Sequence, residues 1–176
     1  MKKLLTLTIL LFLAFQINAQ ETETVDINWI SFEKAAELTK ENPKPLLISV
    51  FATWCGWCKK MDKTTYQNTL ITNYINDNFY AVKLDGEGKD DIKYKDHIFK
   101  FKQQGKTKYN EFAAALLNGK LSYPTTVFMN KNLDLLDRIP GYLDTKIMEK
   151  IVTFFGTKKY ETVKWEDFVK NFKSSL

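Results

Sequence analysis

The chain holds two cysteines, Cys55 and Cys58, in the string Trp54-Cys55-Gly56-Trp57-Cys58-Lys59. Two sulfurs at this spacing can close a small ring and open it again, which is redox chemistry. The string follows the apolar run Leu46-Leu47-Ile48-Ser49-Val50-Phe51-Ala52, which reads as a strand buried on both faces. A strand running into C-x-x-C at the start of a helix is the geometry of a thiol–disulfide exchange site. The competing reading is a structural staple. A bridge across so few residues closes almost no loop, however, and removes little chain entropy.

The elements that must hold this junction can be read along the chain. Ser31 reads as the N-cap of a helix over 32–40, with Phe32, Ala35, Ala36 and Leu38 at helical spacing, and Asn42-Pro43-Lys44-Pro45 ends it. A helix is expected from Gly56 through Met61 and beyond, and a short one over 71–76 capped by Thr69 or Thr72. Residues 79–85 read as a second strand. Gly86 to Lys95 is rich in glycine and charge, and so reads as loop. The alternations Ile92/Tyr94 and Phe99/Phe101 predict a small β-hairpin insertion within 86–107, with a helix as the competing reading. A helix over 110–117 closed by Gly119, strands over 125–129 and 133–139, and a helix capped by Asp144 and ended by Gly156 follow. In the tail, Trp165, Phe168, Val169 and Phe172 repeat a helical pattern. Alternating β and α elements, then a β-hairpin and a last helix, predict an α/β fold: a mixed central sheet flanked by helices, with a hairpin-like insertion and an extra C-terminal helix.

The first residues bear on compartment. Met1-Lys2-Lys3 is basic, Leu4 to Phe15 is apolar apart from two threonines, and Ala19 is small. This order fits a secretory signal peptide over 1–19, and the apolar stretch is short for a membrane span of about 20 residues. An uncleaved anchor is the alternative. The reading divides the chain into a signal peptide (1–19), a polar leader (20–30), a domain (31–156) and a helical extension (157–176). Removing residues 1–19 takes away two lysines and no acids, so the formal charge falls from +5 to +3. That mild excess does not suit a dedicated nucleic-acid binder, which carries a basic stripe or cluster. In an exported chain cysteines usually serve as staples, but a domain of this size can bury a core without one.

The W-C-x-x-C-K string at a strand–helix junction, with Tyr123-Pro124-Thr125 some way on, resembles the thioredoxin family over residues 30–156, and most of all its exported bacterial members. The resemblance implies a thioredoxin-like fold and a thiol–disulfide oxidoreductase. Cys55 would be the exposed attacking thiol at the first turn of the helix, where free N–H groups and the positive end of the helix dipole favour thiolate. Cys58 would be the buried thiol that resolves the mixed disulfide. Gly56 would leave the approach to Cys55 open. Lys59 adds positive charge but points along the helix toward solvent. Trp54, Gly56, Trp57, Tyr123 and Pro124 would meet the client. Pro124 in the family follows a cis peptide bond, and a trans proline at a strand start is the alternative.

Two places depart from the family pattern. Familiar thioredoxins carry proline where this chain has Trp57; the tryptophan either packs on the helix or lines the client cleft. Many members bury an aspartate where this chain has Ser49, and a hydroxyl cannot take up a proton near neutral pH. Lys83, which matches the family's lysine on the next strand, thereby lacks that partner and is expected to reach water or another oxygen.

A metal site is not expected, since His97 with the two cysteines offers three ligands where a structural zinc site wants four; His97 reads as a hairpin surface residue. No cofactor is expected. The reading carries a monomer acting on protein thiols and disulfides, exported and periplasmic, with a membrane protein as electron donor. Its direction is open, with reduction or isomerisation favoured, because Trp57 replaces a histidine that would add an oxidising cation. Two alternatives stand beside it: a thioredoxin-fold binding module without turnover, and a reductase dedicated to cytochrome c maturation.

Overall fold

The computed structural model describes residues 25–175; the predicted signal peptide and the first part of the leader lie outside them. A five-stranded sheet forms the centre. In spatial order it contains β1 (Trp29–Ile30), β3 (Tyr80–Asp85), β2 (Leu46–Phe51), β8 (Thr125–Met129) and β9 (Leu135–Pro140). β2 pairs parallel with β3 and antiparallel with β8, so the strand leading to the cysteines is the middle of a mixed sheet. The strand over 79–85 and those over 125–129 and 133–139 are present with small shifts; Leu133 sits in the preceding turn at φ 63°. β1 is an addition. The sequence reading left it in the polar leader, because two residues carry no periodicity.

Alternation along β2 builds two cores. Leu46, Ile48 and Val50 face α1 (Phe32–Glu41) and α4 (Glu111–Leu116), and pack with Phe32, Val82, Phe112 and Val127. Leu47 faces the other side, where α2 (Gly56–Thr64), α3 (Thr69–Asn78) and α5 (Thr145–Gly156) supply Met61, Ile71, Ile75, Met148 and Phe155. Burying each such side chain stabilises by roughly 1.5–3 kcal/mol. The caps are mostly as expected: Ser31 accepts from the Lys34 N–H, and Asp144 from the Ile147 N–H. α3 is capped by Asn68, not by Thr69 or Thr72; its side-chain oxygen accepts from the Ile71 N–H at 3.2 Å.

The insertion contains two hairpins where one was expected: β4 (Ile92–Tyr94) with β5 (His97–Phe99), and β6 (Phe101–Gln104) with β7 (Thr107–Asn110). Phe101 therefore opens the second hairpin and does not continue the first. Lys102, Gln103, Gln104, Thr107 and Lys108 are all exposed, so no apolar alternation advertises this second ribbon. Gly105, at φ 58°, supplies its turn. The ribbon carries the insertion to Asn110, three residues beyond the expected boundary.

The tail aromatics touch the domain, although the tail helix buries none of its residues. α6 (Trp165–Asn171) sets Trp165 and Phe168 against Phe154 of α5, with ring centroids 5.2 and 5.1 Å apart. Further on, the Ser174 hydroxyl and the Ser175 N–H both donate to the buried carboxylate of Glu149 on α5.

Candidate active site

β2 delivers the chain to the top of the sheet at Phe51, and the Cys55 N–H donates back to the Ala52 carbonyl at 3.0 Å. Cys55 then stands in extended conformation as the N-cap of α2, with its Sγ accepting from the Cys58 N–H at 3.0 Å. Cys55 and Cys58 are joined as a disulfide. No acidic residue lies in the first turn of α2, so the positive end of the helix is left for the sulfur.

Both cysteines are buried in this state, Cys55 at 4% exposure and Cys58 at 3%. Burial of Cys58 agrees with its expected place. The exposed Cys55 that the resemblance implied is corrected here: its sulfur is bonded to Cys58 and packed among Ala52, Phe51 and Tyr123. A Cβ built on the neighbouring Gly56 would meet nothing within 4 Å.

The surroundings are aromatic. Trp54 is 65% exposed and Trp57 is 56% exposed. Trp54 donates its indole N–H to Glu87 at 2.9 Å and meets Tyr123 edge-on at 6.0 Å. Trp57 packs against Tyr142 at 5.5 Å, and the Lys60 ammonium lies over both rings. The tryptophan thus packs on Tyr142 while more than half of it stays exposed. Lys59 is exposed.

The Tyr123–Pro124 bond is cis. The Tyr123 hydroxyl is buried without a hydrogen-bond partner. Burial, and then the acids Glu87 and Asp85, push it up to about 12. The loop that brings these acids is held by Asn110, whose amide donates to the Gly88 and Asp90 carbonyls.

Below the disulfide, Ser49 is buried beside Lys83 in the parallel register and opposite Thr126 in the antiparallel one. The Tyr66 hydroxyl lies against both hydroxyl side chains. Burial pushes it up to about 12, with Ser49 and Thr126 pulling the other way. Neither Tyr66 Oη nor Thr126 Oγ1 completes a hydrogen bond. Lys83 reaches an oxygen, as expected, and that oxygen belongs to Asp62 of α2. The sequence reading missed Asp62, Glu87 and Tyr142. Only Asp62 carried a signal, its place four residues after Cys58. His97 is exposed on β5, against Phe99. Among the described residues no group of three or more His, Cys, Asp or Glu side chains is placed to hold a metal ion.

A model of the Thioredox_DsbH family, described as "Protein of unknown function, DUF255", matches residues 17–171. The chain belongs to this family. The disulfide bond reductase DsbH of Chlamydia pneumoniae is 28% identical over 72 residues, which are 39% of this chain and 43% of that protein. An uncharacterized protein of Caenorhabditis elegans is 36% identical over 67 residues, 38% of this chain. The chain spans only 9% of the length of that relative. A thioredoxin from Thermus thermophilus superposes with a TM-score of 0.58 at 12% identity, covering 76% of this chain and 89% of that one. The fold of this Thioredox_DsbH member is thus that of thioredoxin, and its cysteine pair has the arrangement of a thiol–disulfide oxidoreductase.

Proposed function

We propose that the protein is a thiol–disulfide oxidoreductase that works on exported clients as a reductase or isomerase. In the reducing direction the Cys55 thiolate attacks a client disulfide and forms a mixed disulfide. The Cys58 thiolate then attacks Cys55 Sγ, releasing the reduced client and restoring the Cys55–Cys58 bond. The observation that carries this reading is Cys55 Sγ acting as the N-cap of a helix whose first turn holds no acid. Negative charge on that sulfur is favoured by the helix N-terminus, and the thiolate is the nucleophile.

Gly56 leaves the approach open, while Trp54, Trp57, Tyr123 and Pro124 frame it for an extended client segment. The reductase direction is supported by the likeness to the disulfide bond reductase DsbH of Chlamydia pneumoniae. Export to the periplasm is supported by the character of residues 1–19. Reduction in an oxidising compartment requires an electron donor, for which we propose a membrane protein.

The test is dithiothreitol-driven reduction of insulin, with wild type compared to Cys55→Ser. Turbidity well above background for the wild type alone is expected. Background turbidity in both would leave a thioredoxin-fold binding module in its place. Cys58→Ser is expected to stall on its clients, and mass spectrometry of the trapped species names them.

A further inference from the structure

Trp57 stands where familiar thioredoxins have proline, and a shelf is built around it. Trp57, Lys60 and Thr64 follow one another on α2 at i, i+3 and i+7, a spacing that puts them on one face of the helix. The Lys60 ammonium lies 4.8 Å from the Trp57 ring centroid and 5.0 Å from that of Tyr142. The two rings are themselves 5.5 Å apart. Tyr142 is pinned to the same helix: its hydroxyl bonds to that of Thr64 at 3.0 Å, and the carbonyl of the next residue, Leu143, accepts from the Thr65 hydroxyl at 2.6 Å. Thr64 in turn donates to the Lys60 carbonyl at 2.9 Å. The shelf is held by the protein itself, so a client does not have to order it.

The shelf adjoins the cysteine pair. Trp57 directly precedes Cys58 in the chain, and the N–H of Gly141, the residue before Tyr142, donates to the Pro124 carbonyl at 2.8 Å. Lys60 is exposed and forms no ion pair among the described residues. Lys83, the other lysine set over more than one ring, meets Asp62; Lys60 has no such acid. Aromatic faces attract an ammonium without neutralising it, and a lysine has three N–H donors to offer. Trp54, the other exposed indole beside the cysteines, is tied to the carboxylate of Glu87. One indole thus carries a cation and the other an anion.

We propose that the Trp57–Tyr142–Lys60 shelf is a client subsite for a carboxylate, supplied by an aspartate or glutamate near the client's cysteine. The inference rests on the exchange function above and names the clients it favours. The Lys60 ammonium donates to the client's carboxylate, and the two rings hold that ammonium in position. Neither the rings nor the lysine enters the sulfur chemistry. Lys60 is a binding residue, and a charge at the rim of a binding surface acts on the encounter and on its salt dependence. A lysine that merely packs on the rings predicts no preference among clients.

The experiment measures dithiothreitol-driven reduction by the full chain, above the uncatalysed rate, of disulfide-linked peptides that are alike except for Glu, Gln or Lys beside the cysteine. At low salt the Glu peptide should exceed the Gln peptide in kcat/KM by roughly two- to fivefold, the size of an exposed ion pair. The gain should lie in KM, with similar rates at saturation, and should fade in concentrated salt. Lys60→Met should abolish the preference, Lys60→Arg should keep it, and Lys60→Glu should turn it toward the Lys peptide. Lys59→Met removes the same charge one residue away, from a side chain with no cation–ring contact among the described residues, and should leave the Glu peptide preferred. If Lys60→Met does not fold, Lys60→Glu and Lys60→Arg still decide. Equal kcat/KM for the Glu and Gln peptides, a preference that survives the loss of the Lys60 charge, or one that Lys59→Met removes as fully, overturns the proposal. A wild-type chain that reduces none of the peptides overturns the function itself, an outcome distinct from reduction without preference.

Discussion

Two helix starts in this molecule are built alike and behave differently. At α5 the Asp144 carboxylate accepts from the N–H three residues on, at 2.8 Å. At α2 the Cys55 sulfur does the same at 3.0 Å. Neither helix has an acid in its first turn. α1 and α4 by contrast carry Glu33 and Glu111 there. The Asp144 cap stabilises the fold in both redox states. The Cys55 cap becomes charged only when the disulfide opens, so the favourable field of the helix acts on the reduced form alone. One motif serves stability at one helix start and redox balance at the other.

The largest test of that contrast is Cys55→Ser. Serine caps helices well, so the fold should survive while insulin reduction falls to the uncatalysed rate. Tyr66 extends the contrast to a buried group that stays neutral. Its folded value of about 12 lies above the ordinary 10, so its contribution is complete below pH 10 and is lost as pH rises toward 12. About 3 kcal/mol of stability should disappear across that window. Urea unfolding at a series of alkaline pH values should show this loss in the wild type, and Tyr66→Phe should make the slope shallower while the share of Tyr123 remains. Asp144→Ala should cost about 1 kcal/mol, equally in oxidised and reduced protein, and leave the glutathione equilibrium where it was. An effect on only one redox form would break the comparison. The smallest effect is expected from Trp57→Glu. An acid in the first turn of α2 competes with the thiolate for the helix field, which is worth about 0.3–1 kcal/mol. Alkylation of reduced Cys55 should slow by up to about fivefold.

What the sequence disclosed follows the same division between local and distant causes. The β2–α2 junction, the Ser31 and Asp144 caps and the helical spacing of the tail aromatics rest on periodicity and on residues within a turn of each other. They could be read directly. The second hairpin could not, because its strands are exposed and polar, and Gly105 was its one mark. β1 was too short to show a period. The partner of Lys83 was hidden for another reason: Asp62 and Lys83 come together only when α2 lies across the sheet. The covering of Cys55 also depends on distance in the chain, since Tyr123 arrives from the loop before β8.

Gly86 lies where the inserted loop leaves β3. A Cβ built there would fall on the phenol of Tyr123, the same ring that packs on the cysteines. Nothing larger than hydrogen fits at 86 while that tyrosine stands. A designer who wished to enlarge one position would have to shrink the other, so the two sites are best treated as a single lock and key, redrawn together or not at all.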